Sequence, residues 1–505
     1  MSSERDELTK LISSASLVFL GTIIGSISKL VERTIVGRLL SPALYGEFSV
    51  ALAIFTLAGM LGAAGFMQGV PRFIARFENP VDIRGVWLTG LLVALSFSLI
   101  ISATLFLCAP LIVPSLFETE QANRTFIIFA IAIPVYITFR IGIGAIRGQE
   151  NTQFKVITQD LGYPILRMSV IFILLTMGVG LVGTALGYLV ALLAITGATY
   201  ILLNRLIPLR GAYRLHTRKM TRFSAPLVVS TIMAVLLTRT DTVMLGYFRE
   251  SGEVGLYNAA YPLAGVLTVV LGAFGYLYLP LASRLDSGDS GSVERVYEVT
   301  TKWVFILVFP AFVTLVVFPG EIISIVFGRE FEAGGAALWI LAIGFFTNAG
   351  VGRHRETLSA LGATKFILIS NVIAFIANFM LNLVLIPQFG FEGAAVASAS
   401  SFVLLNIVVC VFLHILFGIT PFNQTSLKAI LGLPLFLLPL GYFLSKITPN
   451  SLPFIIAFGV CMGVLSIISV IALGSLEPED AVLLDFMEEN TGIRIPVIRD
   501  YIPDQ

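Results

Sequence analysis

Apolar stretches of membrane-spanning length recur about fourteen times along this chain, separated only by short polar joints. A helix needs roughly 20 apolar residues to cross a hydrocarbon core, where each backbone N–H and C=O must be bonded within the span. Few folds survive that pattern. Hydrophobic residues make up 57% of the 505 and charged residues 12%, with a mean hydropathy of +0.93. A soluble domain of this composition would lack polar surface to face water. The expectation is an all-α integral membrane protein whose helices and joints consume nearly the whole chain.

The spans are expected at 11–36, 44–70, 85–109, 125–146, 157–177, 181–204, 223–246, 254–282, 302–319, 334–357, 366–386, 392–417, 429–445 and 452–474. Starting from a cytoplasmic N-terminus, the inside segments hold 22 of the 32 lysines and arginines, and the outside joints hold 5. That bias follows the positive-inside rule and places both termini in the cytoplasm, in a multi-pass protein of the cell membrane. Six of the inside cations fall in 205–222, the strongest topological anchor. Arginine outnumbers lysine 24 to 8, and the last 29 residues, from Glu477, hold eight acids against two arginines. An acidic, lysine-poor tail suits a prokaryote, halophilic (a haloarchaeon) or GC-rich. Within it, Ala481 to Met487 reads as a short amphipathic helix or as solvated tail.

The chain also repeats itself. A shift of 209 residues lays helices 1 and 2 on helices 7 and 8 without a gap. Glu32 then meets Asp241, Gly37 meets Gly246, Gly46 meets Gly255, Phe48 meets Tyr257, Ala51 meets Ala260 and Pro71 meets Pro280. A second echo, at offset 210, compares Gly180-Leu181-Val182-Gly183-Thr184-Ala185 with Gly390-Phe391-Glu392-Gly393-Ala394-Ala395. Six helices per copy is an even number, so the copies share orientation about an axis along the membrane normal. Parallel repeats with a substrate site between them mark secondary transporters. The expected division is a six-helix bundle over 1–204, a cytoplasmic loop over 205–222 and a second six-helix bundle over 223–417. An appended helix pair over 429–474 and an acidic cytoplasmic tail over 475–505 complete it.

Asp241-Thr242-Val243-Met244-Leu245-Gly246-Tyr247-Phe248, with Glu253 to Tyr261 after it, resembles the second-half signature of the polysaccharide transporter family. Leu40 to Phe48 is similar to the first-half counterpart, and Gly390 to Ala395 to the family's recurring glycine-alanine helix start. These are the oligosaccharide flippases of the multidrug/oligosaccharidyl-lipid/polysaccharide superfamily. The resemblance covers roughly residues 10–475. It implies two six-helix bundles in a V-shaped, MATE-like arrangement around a cavity that opens alternately to each side. The implied activity is translocation of a polyisoprenoid-linked oligosaccharide, bearing phosphate or pyrophosphate, from the cytoplasmic to the outer leaflet. No chemical reaction is implied. The bilayer and glycosyltransferases or polymerases are the expected partners.

Charges inside spans point to a site. Lys29, Arg33, Arg140, Arg167 and Arg239 fall within the expected helices, with Glu32, Asp160 and Asp241 among them. A lone charge near mid-bilayer costs about 2.5–3.5 kcal/mol on insertion scales, so it faces a partner or a wet cavity. Lys29, Glu32 and Arg33 share one helix face, as do Asp160 and Arg167 seven apart. One reading is a cationic cavity for a phosphate or pyrophosphate head group, which suits arginine's planar fork. The other is internal ion pairing that fixes helix register. Glu32, Asp241 and Asp160 either balance the arginines or hold a coupling ion. Asn371, Asn378 and Asn382 share one face of helix 11, where they contact sugar hydroxyls or bond neighbouring helices.

Other chemistries find little footing. No phosphate-cradling P-loop is present, so nucleotide hydrolysis is not expected, nor is any cofactor or nucleic-acid partner. The cysteines (Cys108, Cys410, Cys461) lie in apolar runs, which argues against a disulfide framework or a zinc site, and no other metal site is expected. Asn123-Arg124-Thr125 is a glycosylation sequon in an expected outside loop. Two rival functions share the membrane setting. A cation-coupled exporter of small molecules would use the same fold. A membrane-embedded glycan polymerase or ligase would need a large outer loop, and the longest here spans only 110–124.

Overall fold

The computed structural model describes residues 24–272 except 26 and 64, residues 290–481, and residues 499, 501 and 502. Among these there is no β-strand. The helices are α1 (27–39), α2 (Pro42–Gly62), α3 (Phe66–Ile74), α4 (Pro80–Leu116), α5 (Glu120–Gly148), α6 (Thr152–Thr176), α7 (Leu181–Leu206) and α8 (Thr217–Phe248). They continue with α9 (Ser251–Gly272), α10 (Ser290–Val317), α11 (Pro319–Phe327), α12 (Gly335–Gly350), α13 (His354–Ala360), α14 (Thr364–Phe417), α15 (Gln424–Ser445) and α16 (Leu452–Ala472).

Eleven of the described helical segments are long and apolar enough to cross a membrane. The 54-residue α14 covers two expected spans, 366–386 and 392–417, divided at Gly390. Most of the first expected span, the end of the eighth, Pro280 and the stretch Val482–Met487 lie outside the described residues.

Helix starts follow local chemistry. Ser41 accepts from the Leu44 amide ahead of Pro42, and Asn79 accepts from the Val81 amide ahead of Pro80. Thr119 likewise accepts from the Ala122 amide. Such caps satisfy amides that have no intrahelical partner. They start α4 and α5 five residues earlier than the apolar runs alone suggested. The expected span 44–70 is broken instead, because Gly65 adopts φ +75° between α2 and α3. The expected joint 205–222 is also shorter than its charges implied, since α8 begins at Thr217.

Two compact units emerge. In the first, residues up to Ala259 join Asn382–Phe391; the second holds Ala260–Leu381 and the residues from Glu392 on. The first unit packs α5 against α7, α4 and α2 around Phe48, Phe55, Phe129 and Tyr188. Its ring centroids lie 5.2 Å apart for Phe55–Phe129 and 5.3 Å for Phe129–Tyr188. In the second unit, α10 packs against α12, α15 and α16, with Phe312 stacked on Phe346 at 4.2 Å. Large apolar side chains face outward: Leu107, Leu111, Ile415 and Phe443 are 71–76% exposed. Lipid is the solvent that suits them.

The duplication is visible in backbone geometry. Gly180 before α7 has φ +66° and ψ −148°, and Gly390 within α14 has φ +57° and ψ −135°. Only glycine adopts this region cheaply. A side-chain oxygen receives the next amide in both cases, Gln121 Oε1 for Leu181 and Glu253 Oε2 for Phe391.

The acidic tail begins as part of the second unit. Lys302, fully buried, donates to Asp480 at 2.7 Å, to Glu477 at 3.1 Å and to the Ser475 carbonyl at 3.1 Å. Trp303 Nε1 completes the set with a 2.7 Å bond to Asp480. Lys302 is thus a buried fastener for the segment after α16.

Candidate functional site

All five intramembrane cations singled out from sequence belong to the first unit. Arg167 is the most enclosed. It pairs with Glu32, and its guanidinium lies 4.6 Å from the Tyr163 ring centroid and 4.5 Å from that of Tyr188. Glu32 also accepts from the Tyr188 hydroxyl at 2.6 Å. A buried ion pair persists where further hydrogen bonds and ring faces offset its desolvation. Both side chains are therefore committed to each other and to two tyrosines. This set ties α1 to α6 and α7.

The remaining cations are more open. Lys29 is exposed, and Arg33, Arg140 and Arg239 are half-buried. Lys29 stands in the combined positive field of Arg167, Arg239 and Arg140, opposed by Glu32. Tyr45 lies in the fields of Arg33, Arg239 and Glu32. Arg33 rests over Phe48 at 5.4 Å, and Arg140 lies 6.0 Å from the Tyr136 ring and 3.4 Å from Gln159 Oε1. Among the described residues, the Nε of Arg140 is buried without a hydrogen-bond partner. Lys29 and Arg33 of α1, Arg140 of α5 and Arg239 of α8 thus bring like charges into one unit, an arrangement that favours an anion.

Asp160 and Arg167 do not act together. Residues Val156–Gly162 form a π-helical turn, in which i→i+5 bonding rotates every later side chain relative to an α-helix. Asp160 consequently bonds Lys155 at 2.6 Å and Gln159 at 3.0 Å, while Arg167 turns to Glu32. The seven-residue spacing had placed them on one face.

Asp241 resembles its repeat counterpart Glu32 in having a tyrosine donor. Tyr257 donates to it at 2.9 Å and the Asn382 amide at 2.8 Å. Asn382 is fully buried and engaged with a carboxylate, so the structure uses it between helices. Asn371 and Asn378, in the second unit, are 7% and 1% exposed. The Asn123 sequon lies inside α5, with the Thr125 hydroxyl bonded to the Gln121 carbonyl.

Sequence reasoning missed a seal at the starts of α2 and α9. A Cβ on Gly46 would overlap the Ser251 carbonyl, and one on Gly255 would overlap the Pro42 carbonyl. Adding 209 to 42 and to 46 gives 251 and 255, so the two contacts are repeat images of one another. Glu47, 1% exposed, accepts from the Glu118 and Thr119 amides at 2.9 and 2.8 Å and from the Thr119 hydroxyl at 2.6 Å. Glu118 in turn accepts from the Ser251 amide at 2.8 Å. The available signal was Glu47 itself, a carboxylate within an expected span.

The same helical membrane fold is found in solved transport proteins. The lipid II flippase MurJ in its inward closed conformation superposes with a TM-score of 0.69 at 15% identity, covering 89% of this chain and 97% of that one. An inward-facing multidrug resistance MATE family transporter gives 0.65 at 14% identity, covering 78% and 94%. Within that fold, residues 11–286 match the family described as polysaccharide biosynthesis protein, and the chain belongs to it. Its relatives include the probable low-salt glycan biosynthesis flippase Agl15 of Haloferax volcanii, 31% identical over 191 residues, which are 37% of this chain and 40% of that protein. The probable flippase AglR of the same organism is 24% identical over 278 residues, 54% of this chain and 57% of that one. The matched stretches thus span about half of these relatives' length.

Proposed function

We propose that this protein is a flippase that carries a polyisoprenoid-linked oligosaccharide, through its phosphate or pyrophosphate, from the cytoplasmic to the outer leaflet by alternating access. The observation that carries the reading is the convergence of Lys29, Arg33, Arg140 and Arg239 in one unit. Such a cluster attracts an anionic head group and repels the lipophilic cations that a multidrug exporter of that type would take. Relatives named as glycan flippases support the substrate class. Arg167, locked by Glu32 and two tyrosines, is assigned to positioning rather than to phosphate contact. Asp241, held by Tyr257 and Asn382, is read as a balance for the nearby arginines. Glycosyltransferases that build the lipid-linked sugar are the natural partners.

The test is transport of a lipid-linked oligosaccharide in proteoliposomes by Arg33→Ala and Arg239→Ala variants. Each is expected to lose most activity at normal protein abundance, and the Lys replacements to keep part of it, because charge remains while the bidentate fork is lost. Wild-type transport by both alanine variants would reject the site.

A further inference from the structure

The segment between α7 and α8 is strapped across the start of α4. Arg84 spends its fork on the strap's backbone, with Nε donating to the Ala212 carbonyl at 2.8 Å and Nη1 to those of Pro208 and Arg210 at 3.3 Å. The Arg214 amide donates to the Val81 carbonyl at 3.2 Å, and the His216 amide to the Thr89 hydroxyl at 3.1 Å. His216 Nε2 sits 3.0 Å from Asp82, its ring stacked on Phe77 at 4.8 Å. Gly85 permits the approach, since a Cβ there would overlap the Arg214 carbonyl.

With its backbone held from beneath, the strap buries Ile207, half-buries His216 and leaves most of its other side chains outward, Arg214 among them although its Nη1 lies 3.7 Å from Asp82. Arg210, Tyr213, Arg214 and Leu215 are exposed, as are Arg205, Arg218, Lys219 and Arg222 on the flanking helices. Arg72 and Arg76 extend the surface from α3, where Arg72 lies 4.2 Å over the Phe223 ring. Residues 205–225 contain no aspartate or glutamate.

We infer that this strap is a built binding surface for the head groups of anionic phospholipids. Cations alone would meet the positive-inside rule from a loose loop. Here their spacing is fixed by the Arg84 clamp, and fixed groups bind with less ordering cost. The exposed Tyr213 and Leu215 among the arginines decide the class of partner. An aromatic ring and an aliphatic chain beside cations suit the boundary between head groups and acyl chains. An acidic protein segment would pair with the arginines and leave both apolar groups unused.

The full chain is reconstituted in nanodiscs of phosphatidylcholine with a minor fraction of phosphatidylglycerol, and the phosphatidylglycerol retained around the protein is measured at low salt. Each cation near a membrane surface contributes about fivefold to such association. Arg210→Gln/Arg214→Gln/Arg218→Gln is therefore expected to lose about two orders of magnitude in apparent affinity. Arg84→Lys is the sharper variant, because net charge is unchanged while the three-carbonyl clamp is lost. It is expected to lower phosphatidylglycerol retention several-fold and to loosen a spin label placed at Tyr213→Cys. Arg124→Gln, an exposed arginine paired with Glu120, serves as the reference and should retain lipid as the wild type does. Equal retention by the triple variant and the wild type would overturn the inference, and so would wild-type retention by Arg84→Lys. Displacement only by a polyisoprenyl phosphate, with no response to phosphatidylglycerol, would also overturn it and assign the strap to the transported lipid.

Discussion

A guanidinium held between two tyrosine rings with its counter-charge on a third helix has little freedom left, and that is the condition of Arg167. Glu32→Gln removes the charge that balances it and is expected to cost about 3–5 kcal/mol, as does Arg167→Met alone. The double variant should cost clearly less than the sum, because no buried charge is then left unpaired. Thermal unfolding of the four proteins in detergent measures the cycle. Strict additivity would mean that Glu32 and Arg167 do not stabilise one another. Both residues were visible in the sequence as charges where charges are expensive. Their pairing was not. Glu32 and Arg167 lie 135 positions apart, and the π-helical turn Val156–Gly162, which contains Asp160, takes Asp160 and Arg167 off the shared face that regular spacing gave them. Pattern arguments assume one helical period throughout, so they misplace every side chain beyond such a turn.

Among the helices, starts were the most legible part and close approaches the least. Ser41-Pro42, Asn79-Pro80 and Thr119 announce their helices through side-chain oxygens placed for free amides. The match of Gly46 with Gly255 was legible as a repeat, but its meaning depends on packing that no spacing rule contains. At both positions a carbonyl of the opposite copy occupies the place of a side chain. Gly46→Val and Gly255→Val are each expected to destabilise by about 1–3 kcal/mol, the usual cost of overpacking, and by similar amounts. Unfolding midpoints of the two variants test this. A loss confined to one position would break the equivalence of the two contacts. The strap at 207–216 was legible only as a basic joint; its attachment rests on Arg84, 128 positions from Ala212 in the chain.

For the whole molecule, composition and periodicity were enough to reach the fold class, since fourteen recurring apolar runs admit little but a helical bundle in lipid. Charge placement predicts sidedness. Cysteines placed at Arg210 and at Thr448 should label from opposite faces of the membrane, the first from the cytoplasm. External labelling of the first in intact cells would invert the topology. The reciprocal contact of Gly46 and Gly255 has a bearing on the duplication. Position 42 of one copy meets 46 of the other, and the reverse, as in a symmetric dimer, where a single patch must fit itself. Two like copies joined in one chain need no new surface here, because each copy carries both halves of the fit. A side chain added at either glycine would meet a carbonyl of the other copy, so one constraint acts at two places in the chain.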